Sequence, residues 1–441
     1  MSPRKRNPRR VAAEIIARWE NTGEPVDRIR DELIGSEGGW EERDRSLVTE
    51  LAYGVSRNCP ALDDQLRELV HGDLKKMQHR LLAILRVGVY QLAHLDRVPD
   101  HAVVDEAVSH ARDLFGQGPA GLVNAVLRKA AGMETLRPVD AFNAPAGAHA
   151  QWKRHWQEFF GEERTEELVE WFTHIPPVGL RRNLLRTESD EQWHDILRSE
   201  GVDFSPVEAR PGYVYAKGVR PDSLPSFQQG LTTAHDPGAS LAPEILDPQP
   251  GEQILDCCCA PGGKTALLWE LGGGNLQLLG VDKVLKRNRL TRQGLKRLGH
   301  EGIEIETADL MHWEPDRLFD KVLLDAPCSG TGTAHRRPDL LVKRPPQQVS
   351  QLARLQRSLM DRAAQWVKPG GVFVYSTCSL EPLENSRRAK GFDAKWGVTF
   401  ERDDLPDSVP EPWRTGEGEA ATWPPRDKVD GAYAVRWRRK S

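Results

Sequence analysis

The fold of this chain is decided by the stretch Asp256-Cys-Cys-Cys-Ala-Pro-Gly-Gly-Lys-Thr265. A short apolar segment, Gln253 to Leu255, precedes it and predicts a strand, and a helix is predicted to begin near Lys264. Two adjacent glycines allow the backbone to approach a ligand closely, and the first turn of a helix presents free N–H groups. The stretch therefore predicts a turn that binds a small ligand.

A phosphate-binding loop is the alternative interpretation of this turn, because the turn ends in Gly-Lys-Thr. The Walker pattern requires a glycine five positions before the glycine of that tripeptide. Cys258 occupies this position. The sequence therefore argues against a nucleoside triphosphatase.

Strands and helices alternate from this turn onward. The pattern predicts strands at 253–256, 276–282, 303–307, 321–325 and 372–377, and helices at 264–271, 285–298 and 349–367. Such alternation predicts a parallel, doubly wound α/β sheet of the Rossmann-like kind, whose ligands bind at the carboxyl ends of the strands. Residues 401–420 are rich in Asp, Glu, Pro and Gly without periodicity and are predicted to form a mobile loop.

The first part of the chain has a different pattern. Residues 11 to about 132 place Leu, Ile, Val and Ala at three- to four-residue spacing, which predicts an all-helical bundle. After a linker at about 130–150, a small α+β unit is predicted, with strands at 180–186 and near 202 and 214, and a helix at 191–200. The chain of 441 residues is thus predicted to contain three domains, at 1–135, 150–228 and 229–441.

Basic residues are concentrated in a few segments, although the formal net charge is −4. Residues 283–297 carry seven basic side chains and no acid, and 336–344 and 436–440 are also basic. The overall charge argues mildly against a nucleic-acid binder, and each run alone is better explained as a solvated surface. Arg181, Arg182 and Arg186 are candidates for phosphate contacts, with a solvated edge strand as the alternative.

Targeting signals and metal motifs are not evident in the sequence. No apolar run approaches the roughly 20 residues of a membrane span, and the first helix is amphipathic, unlike a secretion signal. We therefore expect a cytoplasmic protein whose six cysteines are reduced. Since no second Cys or His pair has the spacing of a zinc site, no metal is predicted.

Four acids end a predicted strand or follow one directly: Asp256, Asp282, Asp309 and Asp325. A carboxylate after the second strand of such a fold can accept hydrogen bonds from both ribose hydroxyls, so Asp282 is the candidate ribose ligand. Asp309 is a candidate for holding an adenine amino group. Any one of these acids alone could instead cap a helix. Four around one glycine turn favour a cofactor that contains a nucleoside.

Two cysteines lie where the fold places an active site, in Asp325-Ala-Pro-Cys-Ser-Gly330 and in Tyr375-Ser-Thr-Cys-Ser379. An isolated cysteine is usually a small buried apolar residue. Turn-forming residues flank these two, and a carboxylate lies near Cys328, which suggests reactive thiols. The residues themselves do not decide whether Cys328 or Cys378 attacks a substrate.

These motifs resemble the Sun-type RNA cytosine-C5 methyltransferases, which use S-adenosylmethionine. The likeness runs from about Gln229 to the end of the chain and includes Arg337-Pro-Asp339, Glu384-Asn385 and Asp430-Gly431 besides the segments quoted above. The helical part resembles the NusB-like RNA-binding bundle, notably at 80–92 and 124–128. A bundle joined to this catalytic domain is the arrangement of the 16S rRNA cytosine-C5 methyltransferase B group.

The resemblance implies a role for each site residue. Cys378 is the implied nucleophile towards C6 of a flipped-out cytosine, Asp325 lies near N3, and Cys328 assists release. The implied S-adenosylmethionine site comprises Cys258, Cys259, Ala260, Pro261, Gly262, Gly263, Lys264, Asp282, Asp309 and Asp325.

The implied partner is 16S ribosomal RNA, at a cytosine in a loop or otherwise unpaired, because extruding a base costs least there. The protein is expected to act as a monomer and to bind no membrane. Two alternatives stay open: the same chemistry on tRNA, and a ribosome-assembly factor whose catalysis is incidental. The bundle could also serve docking or dimerisation instead of RNA binding.

The chain departs from the pattern of the family at a few positions. Cys257 and Cys259 replace an apolar residue and an alanine, His235 replaces a glutamine, and Ala432-Tyr433 replaces two phenylalanines. None of these departures removes a catalytic group, so the implied reaction is unchanged.

Overall fold

The computed structural model describes residues 7–35, 40–133, 136, 138, 141–143, 147–174, 176–208 and 210–441. The chain divides into two compact units. The helical unit comprises Met1–Thr173 and Arg336–Pro346, and the sheet unit comprises His174–His335 and Gln347–Ser441. The three domain boundaries expected from the sequence stay a prediction, and the expected linker at 130–150 lies partly outside the described residues.

The helices of the described residues follow one another in this order: α1 (Pro8–Thr22), α2 (Val26–Ile34), α3 (Glu42–Leu69), α4 (His79–His94), α5 (Asp100–Phe115), α6 (Gln117–Ala131), α7 (Ala148–Phe160), α8 (Glu162–Thr173), α9 (Asp190–Ser199), α10 (Pro225–Gln228), α11 (Leu241–Leu246), α12 (Gly263–Leu271), α13 (Leu285–Leu298), α14 (Asp339–Lys343), α15 (Val349–Ala363), α16 (Ser386–Trp396) and α17 (Pro424–Asp427). None of them is long and apolar enough to cross a membrane.

The strands are β1 (Val178–Arg182), β2 (Phe204–Pro206), β3 (Tyr213–Ala216), β4 (Thr232–Ala234), β5 (Gln253–Cys257), β6 (Gln277–Asp282), β7 (Glu304–Thr307), β8 (Phe319–Asp325), β9 (Val367–Thr377), β10 (Phe400–Arg402), β11 (Arg414–Gly416), β12 (Glu419–Ala421) and β13 (Tyr433–Arg439). All of them belong to the sheet unit.

The helical unit has one apolar core, as its sequence periodicity predicts. The core is filled by fully buried side chains that recur along α1, α3, α4 and α6, among them Ile15, Ile16, Leu51, Leu85 and Val123. Burying these side chains is the main source of stability for such a bundle. The predicted helical bundle is therefore confirmed.

The helical unit also contains α14, which comes from much later in the sequence. The indole N–H of Trp152 on α7 donates to the carbonyl oxygens of Leu341 (3.2 Å) and Arg344 (2.9 Å). Lys343 Nζ lies 4.8 Å from the ring centre of Trp19, a cation–π distance. The basic run at 336–344 is thus not simply a solvated surface, because its helix packs in the helical unit.

The main sheet of the sheet unit has the strand order β11-β12-β13-β9-β8-β5-β6-β7, and β10 pairs with β13. The five strands from β9 to β7 are all parallel. Their apolar side chains are fully buried, including Leu255, Val281, Val322, Leu324 and Phe373. Runs of buried apolar residues are typical of parallel strands covered on both faces. The predicted parallel α/β arrangement is confirmed for these five strands, whereas β10, β11, β12 and β13 pair antiparallel and make the whole sheet mixed.

The prediction of a mobile loop at 401–420 is wrong. Strands β10, β11 and β12 lie in or reach into this segment, and β10 and β12 both pair with β13. Val409, Trp413 and Ala420 are buried in the apolar core beside it. The strands are short and owe their order to backbone pairing with a distant strand, which local composition does not reveal.

The basic tail at 436–440 is not a solvated terminus, because most of it belongs to β13. Arg436 is buried, and its guanidinium contacts Asp403 at 2.6 Å and donates to the carbonyl oxygen of Ile245 at 2.7 Å. Arg438 pairs with the same carboxylate at 2.8 Å. The two arginines point to one side because side chains alternate along a strand.

The smaller sheet has the order β2-β3-β1-β4 and is antiparallel throughout. Its Arg181 is buried and forms an ion pair with Glu270 of α12, which also contacts His300 Nε2 at 2.9 Å. Arg182 pairs with Asp190 at 2.5 Å. Phosphate binding by Arg181 is therefore wrong, because its charge is compensated inside the protein.

We expect Glu270→Gln to destabilise the sheet unit by about 3–5 kcal/mol, because it leaves the buried guanidinium of Arg181 without a counter-charge. Burial alone would raise the pKa of Glu270, but Arg181 and His300 lower it to about 2. Urea unfolding followed by circular dichroism measures the loss.

The matched control for this substitution is Asp195→Asn, which breaks the exposed ion pair between Asp195 and Arg198. Exposed pairs contribute little, so we expect a change of less than about 1 kcal/mol. Equal, small losses in both variants would contradict a structural role for the Arg181–Glu270 pair.

Candidate active site

Parallel strands β5, β6, β8 and β9 end at the same edge of the main sheet. Their register places Cys257 opposite Val281 and Leu324, and Asp325 opposite Ser376. The predicted cofactor turn, the strand-end acids and the two cysteine-containing loops therefore share one edge, as expected for ligand sites in such sheets.

The turn after β5 is held by its own backbone. The N–H groups of Cys258 and Cys259 both donate to the carbonyl oxygen of Val281, at 2.8 and 3.2 Å. Gly262 has φ of 99°, and a Cβ atom there would lie 2.7 Å from Thr291 Cγ2. Only glycine adopts this conformation without strain, so the turn requires it before α12 begins.

The three contiguous cysteines are packing residues. Cys257 is fully buried at the end of β5, and a Cβ on Gly280 would lie 2.9 Å from the sulfur of Cys259. Burial raises the pKa of all three thiols, including that of Cys258, so they stay protonated at neutral pH. These properties suit a supporting role in the turn.

Asp282 is the last residue of β6, and Asp309 follows the end of the neighbouring strand β7. Asp282 Oδ1 accepts from the N–H of Val284 at 2.9 Å, and its Oδ2 lies 3.3 Å from Arg287 Nη1. Arg287 also donates to the carbonyl oxygen of Ala260 in the turn, a contact that the sequence did not suggest. Asp309 is exposed and accepts from the N–H of Met311 at 3.0 Å. Both cofactor roles stay predictions.

Asp256 is buried beneath the turn. Its Oδ2 accepts a hydrogen bond from Thr265 Oγ1 at 2.6 Å, whereas Oδ1 is buried with no partner within the described part of the chain. Burial raises the pKa of this carboxyl to about 7, although the bond from Thr265 opposes the rise. Asp256 therefore titrates near neutral pH.

This titration predicts a pH-dependent effect of Asp256→Asn on stability. Between the ordinary pKa of 3.8 and about 7, the unfolded chain loses the proton that the folded one keeps, so wild-type stability falls as pH rises. The asparagine variant has no such titrating group, so its free energy of unfolding should rise relative to that of the wild type as pH rises through this interval. Urea unfolding of cofactor-free protein at pH 5 and pH 8 measures it, and a pH-independent difference would contradict the assignment.

Asp325, at the end of β8, is held by two neighbours. Lys264 Nζ donates to its Oδ2 at 2.8 Å, and Ser376 Oγ donates to its Oδ1 at 3.0 Å. Burial would lower the pKa of Lys264, but Asp325, and after it Cys378, raise it. Lys264 therefore remains charged between the carboxylate and the cysteine.

The sulfurs of Cys328 and Cys378 lie 3.4 Å apart. Cys378 is partly exposed, whereas Cys328 is buried. The contact with Cys378, followed by burial, raises the pKa of Cys328 well above its ordinary value. Cys378 is thus the thiol of the pair that is accessible to a substrate, and the charge of Lys264 acts on it.

Both cysteine-containing loops are tied to Glu384, which is buried at the start of the turn before α16. Its carboxylate accepts from the N–H of Ser329 (3.0 Å), the hydroxyl of Ser379 (2.5 Å) and the amide of Gln356 (2.9 Å). Ser329 and Ser379 are the residues that directly follow the two cysteines. Glu384 is therefore a positioning residue. In the sequence, only the Glu384-Asn385 motif indicated it.

The departures from the family pattern lie around this site. His235 Nδ1 is 3.0 Å from the hydroxyl of Tyr213, and a Cβ on Gly263 would lie 3.0 Å from the His235 ring. Ala432 lines a small cavity of about 40 Å³ together with Lys264 and Cys378. His235 thus abuts the cofactor turn, and Ala432 leaves space beside the cysteine.

Two family models match the chain. That of 16S rRNA methyltransferase RsmB/F matches residues 243–438, and that of the NusB family matches residues 6–132. Taken with the parallel sheet and its glycine turn, these matches identify an enzyme of the S-adenosylmethionine-dependent methyltransferase class.

Curated relatives specify the family. The ribosomal RNA small subunit methyltransferase B of Pseudomonas putida is 35% identical over 360 residues, covering 80% of this chain and 82% of that protein. The protein of the same name from Photorhabdus laumondii is 32% identical over 422 residues, covering 93% and 97%. The chain belongs to the ribosomal RNA small subunit methyltransferase B family.

Solved structures share the fold. The crystal structure of PH0851 covers 98% of both chains with a TM-score of 0.85 at 23% identity, a likeness that concerns the fold alone. A methyltransferase homolog from Pyrococcus horikoshii covers 65% of this chain and 94% of that one, with a TM-score of 0.55 at 27% identity.

The described residues fit S-adenosylmethionine. When bound, this cofactor supplies a methyl group on a positively charged sulfur. The carboxylates of Asp282 and Asp325 at this edge offer acceptors to the hydroxyl and ammonium groups of this cofactor, and Asp256 Oδ1 is a buried acceptor without a partner among the residues described.

Proposed function

We propose that the enzyme transfers a methyl group from S-adenosylmethionine to C5 of a cytosine in 16S ribosomal RNA, through a covalent bond between Cys378 and C6. The observation that supports this most is the pair of cysteine sulfurs 3.4 Å apart, beside the Lys264–Asp325 ion pair. A thiol near a cation, partnered by a second thiol and a carboxylate, suits nucleophilic addition to a pyrimidine.

Cys378 is the proposed nucleophile. Its thiolate is favoured by the nearby charge of Lys264 and by a hydrogen bond from Cys328, and its partial exposure gives a base access to the sulfur. Attack forms the S–C6 bond and moves the electron pair of the C5–C6 double bond towards C5. That electron density makes C5 the methyl acceptor.

Asp325 is proposed to hold the ring of the base at N3 during this addition. Its carboxylate is oriented by Lys264 and Ser376, so its position is set before a substrate arrives. Addition at C6 makes N3 more basic; once N3 has taken a proton from water, the Asp325 carboxylate would accept a hydrogen bond from this N3–H and stabilise the adduct.

Release requires transfer of the C5 proton to a base, re-formation of the C5–C6 double bond and departure of the Cys378 sulfur as a thiolate. Cys328 is proposed to take this proton, because its sulfur lies beside the sulfur that must leave and because Cys378, once bonded to carbon, no longer raises the pKa of Cys328. Its own raised pKa keeps it from competing as the nucleophile.

The substrate assignment is supported by relatives whose names specify ribosomal RNA of the small subunit. Extruding a base from a duplex costs a few kcal/mol, so a cytosine in a loop or bulge is the proposed target. We further propose that the enzyme acts as a monomer in the cytoplasm and that the NusB-like bundle contacts RNA.

Transfer of labelled methyl from S-adenosylmethionine to 16S rRNA tests the proposal. We expect label in 5-methylcytosine after nuclease digestion of naked or partly assembled 16S rRNA. The control substrate is total tRNA, on which we expect none. Zero incorporation into 16S rRNA in every assembly state would refute the proposal. Label in tRNA alone would show that the substrate is tRNA instead of 16S rRNA.

A further inference from the structure

A basic groove on the sheet unit lies between α15 and α16. It encloses about 320 Å³ and has a buried apolar floor that includes Met360 and Phe392. Its charged lining consists of Arg357, Asp361, Arg388 and Lys395. The proposed catalytic residues do not line this groove.

The acid in the groove is already neutralised. Asp361 contacts Lys395 Nζ at 2.8 Å and accepts from the indole N–H of Trp396 at 2.9 Å. Arg388 donates to the carbonyl oxygen of Ala353 at 3.2 Å, but its Nε is buried without an acceptor in the described ranges. Burial, and after it the charge of Arg357, lowers the pKa of Arg388, as expected for cations held close together.

Further cations surround the groove. Arg354 on α15 and Lys390 on α16 are exposed and have no acidic partner among the described residues. Together the two helices contain seven basic residues and two acids, in a chain whose formal charge is −4. Two of these basic residues are paired with acids: Arg362 of α15 contacts Glu314 outside the groove at 2.7 Å, and Lys395 of α16 contacts Asp361. The groove is therefore a local positive field on a mildly acidic protein.

The segments that form the groove also contact the cysteine-containing loops. Gln356, the residue before Arg357, donates to the carbonyl oxygen of Pro327 at 3.0 Å, and Pro327 directly precedes Cys328. At the other wall, Arg388 comes four residues after Glu384, whose carboxylate holds both cysteine loops. Helix α15 and the turn before α16 are thus each bonded to the cysteine-containing loops.

We propose that this groove binds backbone phosphates of the RNA strand that flanks the target cytosine, a proposal that rests on the proposed function. Guanidinium groups bind phosphate oxygens with two parallel hydrogen bonds, and phosphate contacts position an RNA without reading its sequence. RNA is favoured over an acidic protein segment because the segments that form the groove also hold the loops to which the base must be delivered.

The salt dependence of RNA binding tests this proposal. The variant Arg354→Gln/Arg357→Gln removes two exposed cations, and Arg198→Gln/Lys217→Gln removes two exposed cations from other parts of the sheet unit as a matched control. Binding of transcribed 16S rRNA is measured between 50 and about 300 mM salt. We expect the slope of log affinity against log salt to be shallower by about 1 to 2 in the groove variant alone.

The same preparations are assayed for methyl transfer, with the expectation that the RNA KM rises and kcat is unchanged in the groove variant. If the groove variant has the same salt slope as the control variant and the wild type transfers methyl normally, the groove assignment is overturned and the proposed function is not. Binding of polyglutamate, a model of an acidic protein segment, is measured with the same variants. Unchanged RNA binding with loss of polyglutamate binding would also overturn the groove assignment, in favour of an acidic protein partner. Absence of transfer by the wild type would instead refute the proposed function.

Discussion

Replacing Cys378 by alanine is expected to reduce methyl transfer to 16S rRNA by at least about a thousandfold, because the substitution removes the nucleophile that activates C5. Binding of S-adenosylmethionine, measured by calorimetry, should not change, since the turn at 258–264 and Asp282 are untouched. The comparison separates a loss of chemistry from a loss of cofactor.

Cys59→Ala is the matched control, because Cys59 is a buried thiol in the helical unit. It should retain wild-type transfer. Residual transfer by Cys378→Ala within tenfold of the wild type would contradict the assignment of Cys378 as nucleophile.

Replacing Cys328 by alanine is expected to trap the enzyme on its RNA. Addition of Cys378 to C6 and methylation of C5 can still occur, but departure of the sulfur is slowed when the neighbouring thiol is gone. We expect a protein–RNA adduct that survives denaturing electrophoresis and disappears after ribonuclease treatment, with turnover reduced by about a hundredfold or more.

The double variant Cys328→Ala/Cys378→Ala distinguishes the roles of the two thiols. It should form no adduct, because the covalent bond requires Cys378. An adduct that appears with Cys378→Ala and not with Cys328→Ala would reverse the assignment. Cys328→Ser should retain more turnover than Cys328→Ala, because its hydroxyl can still exchange a proton beside the Cys378 sulfur.

Much of the fold could be predicted because the relevant signals are local. Helix α13 runs over 285–298 as its spacing predicts, and the parallel strands end at the predicted acids Asp282 and Asp325. Apolar runs and helical spacing arise from burial within each element, so they can be read without knowing the partners. The shared edge of turn, acids and cysteines follows from parallel topology.

The features that were missed depend on partners far away in the sequence. Arg181 looked like a phosphate ligand because Glu270, its counter-charge, is 89 residues distant. The 401–420 segment looked like a loop because β13, its pairing partner, comes later in the chain. The positioning role of Glu384 depends on three chain segments that meet only in the folded state. Local patterns do not contain this information.

A bisulfite map of cellular RNA tests whether Cys378 methylates a 16S rRNA cytosine. We expect a 16S rRNA cytosine that resists conversion in wild-type cells, is converted in cells that lack this gene, and is protected again by the wild-type protein but not by Cys378→Ala. An unchanged 16S map, or a loss of protection confined to tRNA, would refute methylation of 16S rRNA by this enzyme.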